Sequence, residues 1–235
     1  DFIHVPVDAL LSEAYLDKRA RLISTERTMG KATAGMPQNI SSEWGSGETI
    51  EFPSTSHLSV IDEDGNAVSM TTTIESSFGS RLMTRGFMLN NQMTDFSFHP
   101  SIQGHPIANR IAPGKRPRSS MSPTLVFDRS GKLVLTVGSP GGSRIIGYVI
   151  KALVAVLDWK LDLAAAFALP NHVNRNGPID LESGTNLAQI KSSLEALGHK
   201  VRMRRNGSGY HGISVTPSGF DGAADTRREG VADGD

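Results

Sequence analysis

The chain has 235 residues, enough for one sizeable domain with a real core, and its 24 Lys+Arg balance its 24 Asp+Glu to a formal net charge of zero. That balance offers no footing for nucleic acid or an anionic membrane. Cysteine is absent, which excludes disulfides and thiolate catalysis, and the longest apolar run, Ile145 to Leu157, is interrupted by Lys151 and too short to span a bilayer.

No signal peptide opens the chain, and its abrupt start at Asp1 leads us to expect a missing preceding segment. Residues 8–24 predict an amphipathic helix, with Leu10, Leu11, Tyr15, Leu16 and Leu22 along one stripe. Residues 29–54 are rich in Gly, Ser, Pro and Thr and lack a period, which predicts a mobile linker and a boundary just before Thr55.

From Thr55 the pattern becomes strand-like. His57, Ser59 and Ile61 alternate with Leu58 and Val60, Asp62 to Gly65 reads as a hairpin turn, and 66–75 reads as the returning strand. On that strand Val68, Met70, Thr72 and Ile74 share one face, and Ser69, Thr71, Thr73 and Glu75 the other. A short strand is predicted at Gly86–Asn90, a long Pro/Gly/His loop at 97–118, and a second hairpin from Thr124–Phe127 and Leu133–Val137. Gly138 to Arg144 is glycine-rich and runs into a helix over 143–158, with Ile145, Ile146, Val149, Ile150, Leu153 and Val154 as its expected buried stripe. Helices at 161–168 and 186–197, the latter with Leu187, Ile190, Leu194 and Leu197 inward, and strands near 178–182, 199–203, 211–216 and 220–224 complete the chain. The basic cluster Arg202–Arg205 reads as a solvated strand end. Strands, then helices, then strands predict an α+β domain, an antiparallel sheet system with helices packed on it.

Four groups of residues carry potential chemistry. Threonine needs a base to act as a nucleophile, and an N-terminal threonine carries one in its own α-amine, whose ordinary pKa is about 7.7–8.0. Thr55 qualifies if the Ser54–Thr55 bond is cut; otherwise it is simply a strand start. Gly141 and Gly142 precede a helix, where backbone N–H groups form either an oxyanion hole or an ordinary tight turn. Ser119 and Ser120 offer donors suited to a carboxylate, or belong to a plain loop before a strand. Glu75, Gln92 and Asp95 offer acceptors for an ammonium group, or are surface and turn residues. The histidines have no metal-ligand spacing, and no cofactor is implied. His57, two residues from Thr55, is read as structural, because strand alternation alone does not set up a base.

Taken together these stretches resemble the γ-glutamyltranspeptidase family. The resemblance is carried by Thr55-Ser56-His57-Leu58-Ser59-Val60, Asp64-Gly65-Asn66-Ala67-Val68, Phe78-Gly79-Ser80, Leu89-Asn90-Asn91-Gln92-Met93, Lys115-Arg116-Pro117, Ser119-Ser120-Met121-Ser122-Pro123-Thr124 and Gly138-Ser139-Pro140-Gly141-Gly142-Ser143-Arg144. It covers residues 55–228; residues 1–54 resemble the tail of the family's large subunit, and 55–235 its small, catalytic subunit.

The resemblance implies an N-terminal nucleophile hydrolase fold, an αββα four-layer sandwich, of which this chain is the C-terminal portion. It also implies a precursor that cuts itself into two subunits. The new N-terminal threonine would form a γ-glutamyl ester with glutathione or another γ-glutamyl compound, released by water, an amino acid or a peptide. By that resemblance Thr55 is the nucleophile and Thr73 orients it. Gly141 and Gly142 form the oxyanion hole, Ser119 and Ser120 hold the glutamyl α-carboxylate, and Glu75, Gln92 and Asp95 hold its α-amine. Glu75 stands where many members have Asn. The missing large-subunit region is an expected partner and in the family supplies an Arg for the α-carboxylate. The 97–114 loop is shorter than in lid-bearing members and has no Tyr or Trp, which implies an open pocket. Asp225-Thr226-Arg227 replaces a common Asp-Pro-Arg. A periplasmic or secreted location is implied. Two other readings stand beside this one: a cephalosporin-acylase-like amidase acting on glutaryl groups, and a truncated, non-catalytic fragment acting in assembly.

Overall fold

The structure, a computed structural model, describes residues 3–37, 43–45, 47, 54–205 and 207–234. Two short helices come first, α1 (Val7–Leu11) and α2 (Glu13–Ala20). The single helix predicted over 8–24 is broken at Ser12, where the backbone is extended (φ −62°, ψ 136°) and the hydroxyl donates to the Ala9 carbonyl. Neither helix has a buried residue, and Leu11, Leu16 and Leu22 are exposed, so the expected stripe has no core to face among the described residues. The predicted mobile linker lies partly outside the described residues. Near its start the chain is anchored: Thr28 N donates to Leu197 O at 2.8 Å, and the Asn176 amide pairs both ways with the Ala32 backbone at 2.7 and 2.8 Å.

The alternating stretch folds as an antiparallel hairpin, β1 (Thr55–Ile61) with β2 (Ala67–Thr73), in the register Thr55↔Thr73 through Ile61↔Ala67. Asp62 closes its turn by accepting from Asn66 N at 2.8 Å, and Gly65 adopts the left-handed φ of 81° that the turn requires. The polar face turns inward. Thr55, His57, Ser59, Ser69, Thr71 and Thr73 are wholly or partly buried, whereas Leu58, Val60, Val68 and Met70 point outward and are exposed.

Two small ribbons follow, β3 (Met83–Thr84) with β4 (Phe87–Met88) and β5 (Ser101–Ile102) with β6 (His105–Pro106). The strand predicted at 86–90 therefore shrinks to two residues. Then come β7 (Thr124–Phe127), β8 (Leu133–Gly138), α3 (Ile145–Leu157), α4 (Leu163–Ala168), β9 (His172–Asn174), β10 (Ile179–Glu182), α5 (Lys191–Ala196), β11 (Val201–Arg204), β12 (His211–Thr216) and β13 (Gly219–Ala224).

The main sheet has the order β13-β12-β8-β7, all antiparallel. One face of it receives the β1–β2 hairpin, which contacts β8 and β12; α3 and α4 pack on it from the other side. Leu135, Val137, Ile145, Tyr148, Val149, Leu163, Phe167 and Tyr210 form the core beneath those helices. Between the sheets the contacts are largely polar: Ser69 Oγ donates to Val137 O at 3.3 Å and accepts from Thr124 N at 3.1 Å. The buried face of α3 differs from the predicted one. Tyr148, Lys151, Ala152 and Ala155 turn inward with Ile145 and Val149, while Ile146 and Ile150 remain exposed. Small alanines let the helix approach its neighbours closely, and the tyrosine fills the space beside Gly141; periodicity among the larger aliphatics pointed elsewhere. The sheet β11-β10-β9 departs from the antiparallel expectation, because the crossover through α5 makes β10 and β11 parallel. The basic cluster is a solvated strand end as read: Arg202 to Arg205 are exposed at the end of β11, and Arg202 also pairs with buried Asp180 at 2.7 Å. Among the described residues no helix is long and apolar enough to cross a membrane.

Candidate active site

Thr55 and Thr73 face each other across the hairpin. The Thr73 hydroxyl donates to the Ser54 carbonyl and accepts from Glu75 N at 2.9 Å. The carbonyl of the expected scissile bond is thus already polarised, by the residue opposite Thr55. Parity on a two-stranded hairpin is the physical cause: Thr55 and Thr73 are register partners, so their side chains share the inward face.

Just past β2 the chain turns sharply. Glu75 sits at φ 77°, in the left-handed region that side chains rarely occupy. It is 3% exposed. Asn91 Nδ2 donates to its Oε2, while its Oε1 is buried without a hydrogen-bond partner among the described residues. Such a carboxylate oxygen is costly unless a cation or donor reaches it. Asn91 itself is fixed at both ends, accepting from Ser76 N at 3.0 Å through Oδ1. Asp95 follows on the 3-10 turn Gln92–Asp95.

The glycine pair links β8 to α3. Gly141 (φ 144°) and Gly142 (φ 58°) both have positive φ, and a Cβ at Gly141 would lie 2.7 Å from the Tyr148 ring. The turn therefore requires glycine for conformation and, at Gly141, for space as well. Ser139 Oγ, accepting from Gly209 N at 3.2 Å, holds the approach to the turn.

These elements meet in one small cleft, open to solvent and lined by Thr55, Thr73, Glu75, Asp95, Ser119, Ser120 and Gly142, with Arg118, Met121 and Ile145. Two predicted residues do not line it. Gln92 lies at the start of the 3-10 turn, its backbone N–H bonded to Asn90 Oδ1 at 3.0 Å, and Gly141 is buried behind Gly142 against Tyr148. Hydroxyls, a buried carboxylate and a cation around one threonine suit a small zwitterionic acyl group and attack on its carbonyl.

A sequence profile described as Gamma-glutamyltranspeptidase matches residues 1–234. The chain belongs to the gamma-glutamyltranspeptidase family. The glutathione hydrolase proenzyme of Escherichia coli (strain K12) is 38% identical over 97% of this chain and 39% of its own length. The acylase ACY 1 proenzyme of Pseudomonas sp. (strain V22) is 35% identical over 98% of this chain and 38% of its own length. Among solved structures, an acivicin-inhibited gamma-glutamyltranspeptidase superposes with a TM-score of 0.66 at 38% identity, covering 74% of this chain and 98% of that one. The chain spans about two fifths of the length of the curated relatives it matches. Its α+β architecture, helices on a sheet with a second sheet beyond, is the family's N-terminal nucleophile hydrolase fold.

Three features of this family member were not singled out from its sequence. Arg118 lines the cleft immediately before Ser119 and Ser120; a cation adjoining two hydroxyls was the available signal. Asn91 fixes Glu75, as the Asn90–Asn91 pair hinted. The third is a buried polar network around Arg227. Its guanidinium donates to Glu182 at 2.6 Å and Asp225 at 3.1 Å, and to the carbonyls of Phe167 and Leu169 at the end of α4 at 2.8 and 3.0 Å. Burial works against that charge, but the bond to Glu182 and the charge of Asp225 hold the Arg227 pKa above its usual value. No local pattern predicts a network whose members come from three separate segments.

His57 is 6% exposed, and burial together with the nearby His211 lowers its pKa from 6.5 to about 4. In the unfolded chain it binds its proton at about 6.5, in the folded chain only at about 4, so between those values the unfolded state holds more protons. Stability should therefore be fully present above pH 6.5 and decline as pH falls towards 4. His172, lowered by burial and by Lys151, adds in the same sense. Denaturant midpoints measured across this window should show the decline, and His57→Gln should flatten it; an unchanged slope in that variant would assign the effect to other groups.

Proposed function

We propose that this chain is the C-terminal part of a γ-glutamyl hydrolase and transferase, with residues 1–54 as the tail of a large subunit and 55–235 as the small, catalytic subunit. Its substrates are glutathione or other γ-glutamyl compounds; water, an amino acid or a peptide is the acceptor. The family relationship favours a periplasmic or secreted setting and a large-subunit region as partner. The observation that carries the reading is the Ser54 carbonyl resting on the Thr73 hydroxyl, opposite Thr55, in a cleft also lined by Glu75, whose Oε1 is buried without a hydrogen-bond partner among the described residues.

In maturation Thr55 Oγ attacks the Ser54 carbonyl carbon, and Thr73 stabilises the developing oxyanion. The hydroxyl proton passes to the Thr55 nitrogen as the C–N bond breaks, leaving an ester on Thr55 Oγ and a free α-amine. Water hydrolyses the ester to the Ser54 carboxylate and restores the hydroxyl. In turnover the α-amine takes the hydroxyl proton as Thr55 attacks the substrate's γ-carbonyl and passes it to the leaving amine. Gly141 and Gly142 supply the oxyanion site, Gly142 from the cleft wall and Gly141 by shaping the turn. Ser119 and Ser120, with Arg118 beside them, take the α-carboxylate; Glu75 and Asp95 take the α-ammonium, with Gln92 behind them. Water or an acceptor amine then releases the γ-glutamyl group.

The likeness to an acylase makes glutaryl amides the second reading. Glu75 argues against it, because a glutaryl group has no ammonium for Oε1. The complete natural chain should release product from γ-glutamyl-p-nitroanilide and discriminate against glutaryl-p-nitroanilide. Losing a charge-assisted bond costs about 1.5–3 kcal/mol, so Glu75→Gln should raise KM for the glutamyl compound by about 10- to 100-fold while leaving glutaryl turnover unchanged. Equal effects on both compounds would transfer the assignment to the acylase reading. An unbroken chain that fails to react with a γ-glutamyl affinity label would favour a non-catalytic assembly role.

A further inference from the structure

His57 lies two residues beyond Thr55 on the same inward face of β1, buried between the two sheets. Both ring nitrogens are engaged: Nδ1 is 2.8 Å from Thr71 Oγ1 on β2, and Nε2 is 3.3 Å from Ser59 Oγ on β1. The ring rests directly on the backbone of Gly138, the last residue of β8. A Cβ at Gly138 would fall 2.1 Å from His57 Cε1, and 2.4 and 2.5 Å from Nδ1 and Nε2. Gly138 is not in the left-handed region, so glycine is needed there for space, not for conformation. Three residues later the same strand delivers Gly141. One ring thus bridges the strand that begins with Thr55 and the strand that feeds the glycine turn.

We propose that His57 is a positioning residue: its imidazole is the spacer that sets the separation between Thr55 and the Gly141–Gly142 turn. The proposal rests on the reading of Thr55 as nucleophile and of the turn as oxyanion site. Its basis is packing. A planar ring wedged against backbone is nearly incompressible, and the hairpin carrying Thr55 meets the main sheet mostly through small polar side chains, which set that distance only loosely.

The ring's surroundings keep it a neutral spacer. It faces Ser59 on β1, Thr71 on β2, Gly138 on β8 and, paired to Gly138 across the sheet, His211 on β12. The C-terminal segment brings Arg227, Arg228 and Glu229 to one adjoining cavity and Asp233 to another. Burial and His211 disfavour a positive charge on it at neutral pH. With both nitrogens held by hydroxyls other than that of Thr55, the ring is not placed to act as a base.

The test uses the complete natural chain, comparing wild type, His57→Ala, Gly138→Ala and the double variant on γ-glutamyl-p-nitroanilide. A displacement of 1 Å at a reacting centre costs about 100-fold, so His57→Ala should lower kcat by about that factor while KM stays within about twofold. Gly138→Ala alone, which forces the ring away, should lower kcat in the same way. In the double variant the new methyl occupies part of the vacated space, and kcat should recover about tenfold over His57→Ala. His57→Gln, which keeps a side-chain partner for Thr71, should lose less and keep the wild-type shape of the pH–rate profile. If His57→Ala does not fold, His57→Gln and Gly138→Ala carry the test through their kcat against KM. Near-normal kcat in these variants would overturn the proposal. So would additive losses that track melting temperature without recovery in the double variant, or loss of a limb of the pH profile, which would make His57 a base. Persistent turnover in Thr55→Ala would instead mark failure of the underlying functional reading.

Discussion

Thr55→Ala is expected to leave the chain uncut at Ser54–Thr55 and to lower release from γ-glutamyl-p-nitroanilide by about 10⁴-fold or more, the scale on which enzymes lose a nucleophile. Both losses follow from one atom, because the same hydroxyl would attack the Ser54 carbonyl in maturation and the γ-carbonyl in turnover. Intact mass after expression reads the first event: two fragments split at Ser54–Thr55 for the wild-type chain, one for the variant. Thr73→Val removes the hydroxyl that donates to the Ser54 carbonyl while keeping the side chain's shape. It should slow cleavage by about 10²–10³-fold, the usual effect of deleting one oxyanion donor, without blocking it. Cleavage of Thr55→Ala at the wild-type rate would refute self-processing by this residue. Processing without turnover would separate maturation from catalysis.

Arg227→Ala should be the most destabilising single change in the C-terminal segment. Its guanidinium stands between Glu182 and Asp225, whose side chains are 11% and 1% exposed, and it also caps the carbonyls at the end of α4. Truncation leaves two buried carboxylates without their cation, for which about 3–5 kcal/mol is typical. In a domain of this size that corresponds to a melting temperature lower by about 6–20 °C. Arg227→Lys should recover only part of the loss, since one ammonium cannot span two carboxylates and several carbonyls. The damage should extend towards the cleft. Asp225 binds the Ser208 hydroxyl, Ser208 binds Asn171, and Gly209 N reaches Ser139 just before the glycine turn. A change in melting temperature under about 2 °C would show that water replaces the guanidinium at little cost.

Much of the cleft was legible before any coordinates. Period-two alternation put Thr73 on the polar face of its strand, and the hairpin register then made it the partner of Thr55. The glycine pair stood out by its place directly before a helix, and both residues take the positive φ that glycine adopts without steric cost. Glu75, Asp95, Ser119 and Ser120 came through resemblance, and the cleft unites them. Gln92 and Gly141 do not line the cleft, and membership of a motif does not say which residue forms the wall and which stands behind it. The face of α3 was misread: bulky Ile146 and Ile150 outweighed Ala152 and Ala155 in the periodicity, although small residues are the ones that permit close helix packing. At Ser12 a local side-chain bond to Ala9 overrode a helix the amphipathic pattern had extended to residue 24.

Local rules therefore determined where strands, turns and the candidate nucleophile lie, because alternation, φ preference and turn chemistry act over a few residues. Tertiary structure alone decided what those elements meet. It turned the polar face of the β1–β2 hairpin inward and left Leu58, Val60, Val68 and Met70 exposed, opposite to the usual reading of an alternating strand. It gathered Arg227, Glu182, Asp225, Ser208 and Asn171 from distant segments into one network, and it buried an oxygen of Glu75, in the cleft wall it shares with Thr55, without a hydrogen-bond partner among the described residues. Burial and charge compensation depend on neighbours far along the chain, which is why these three features became visible only in the folded structure.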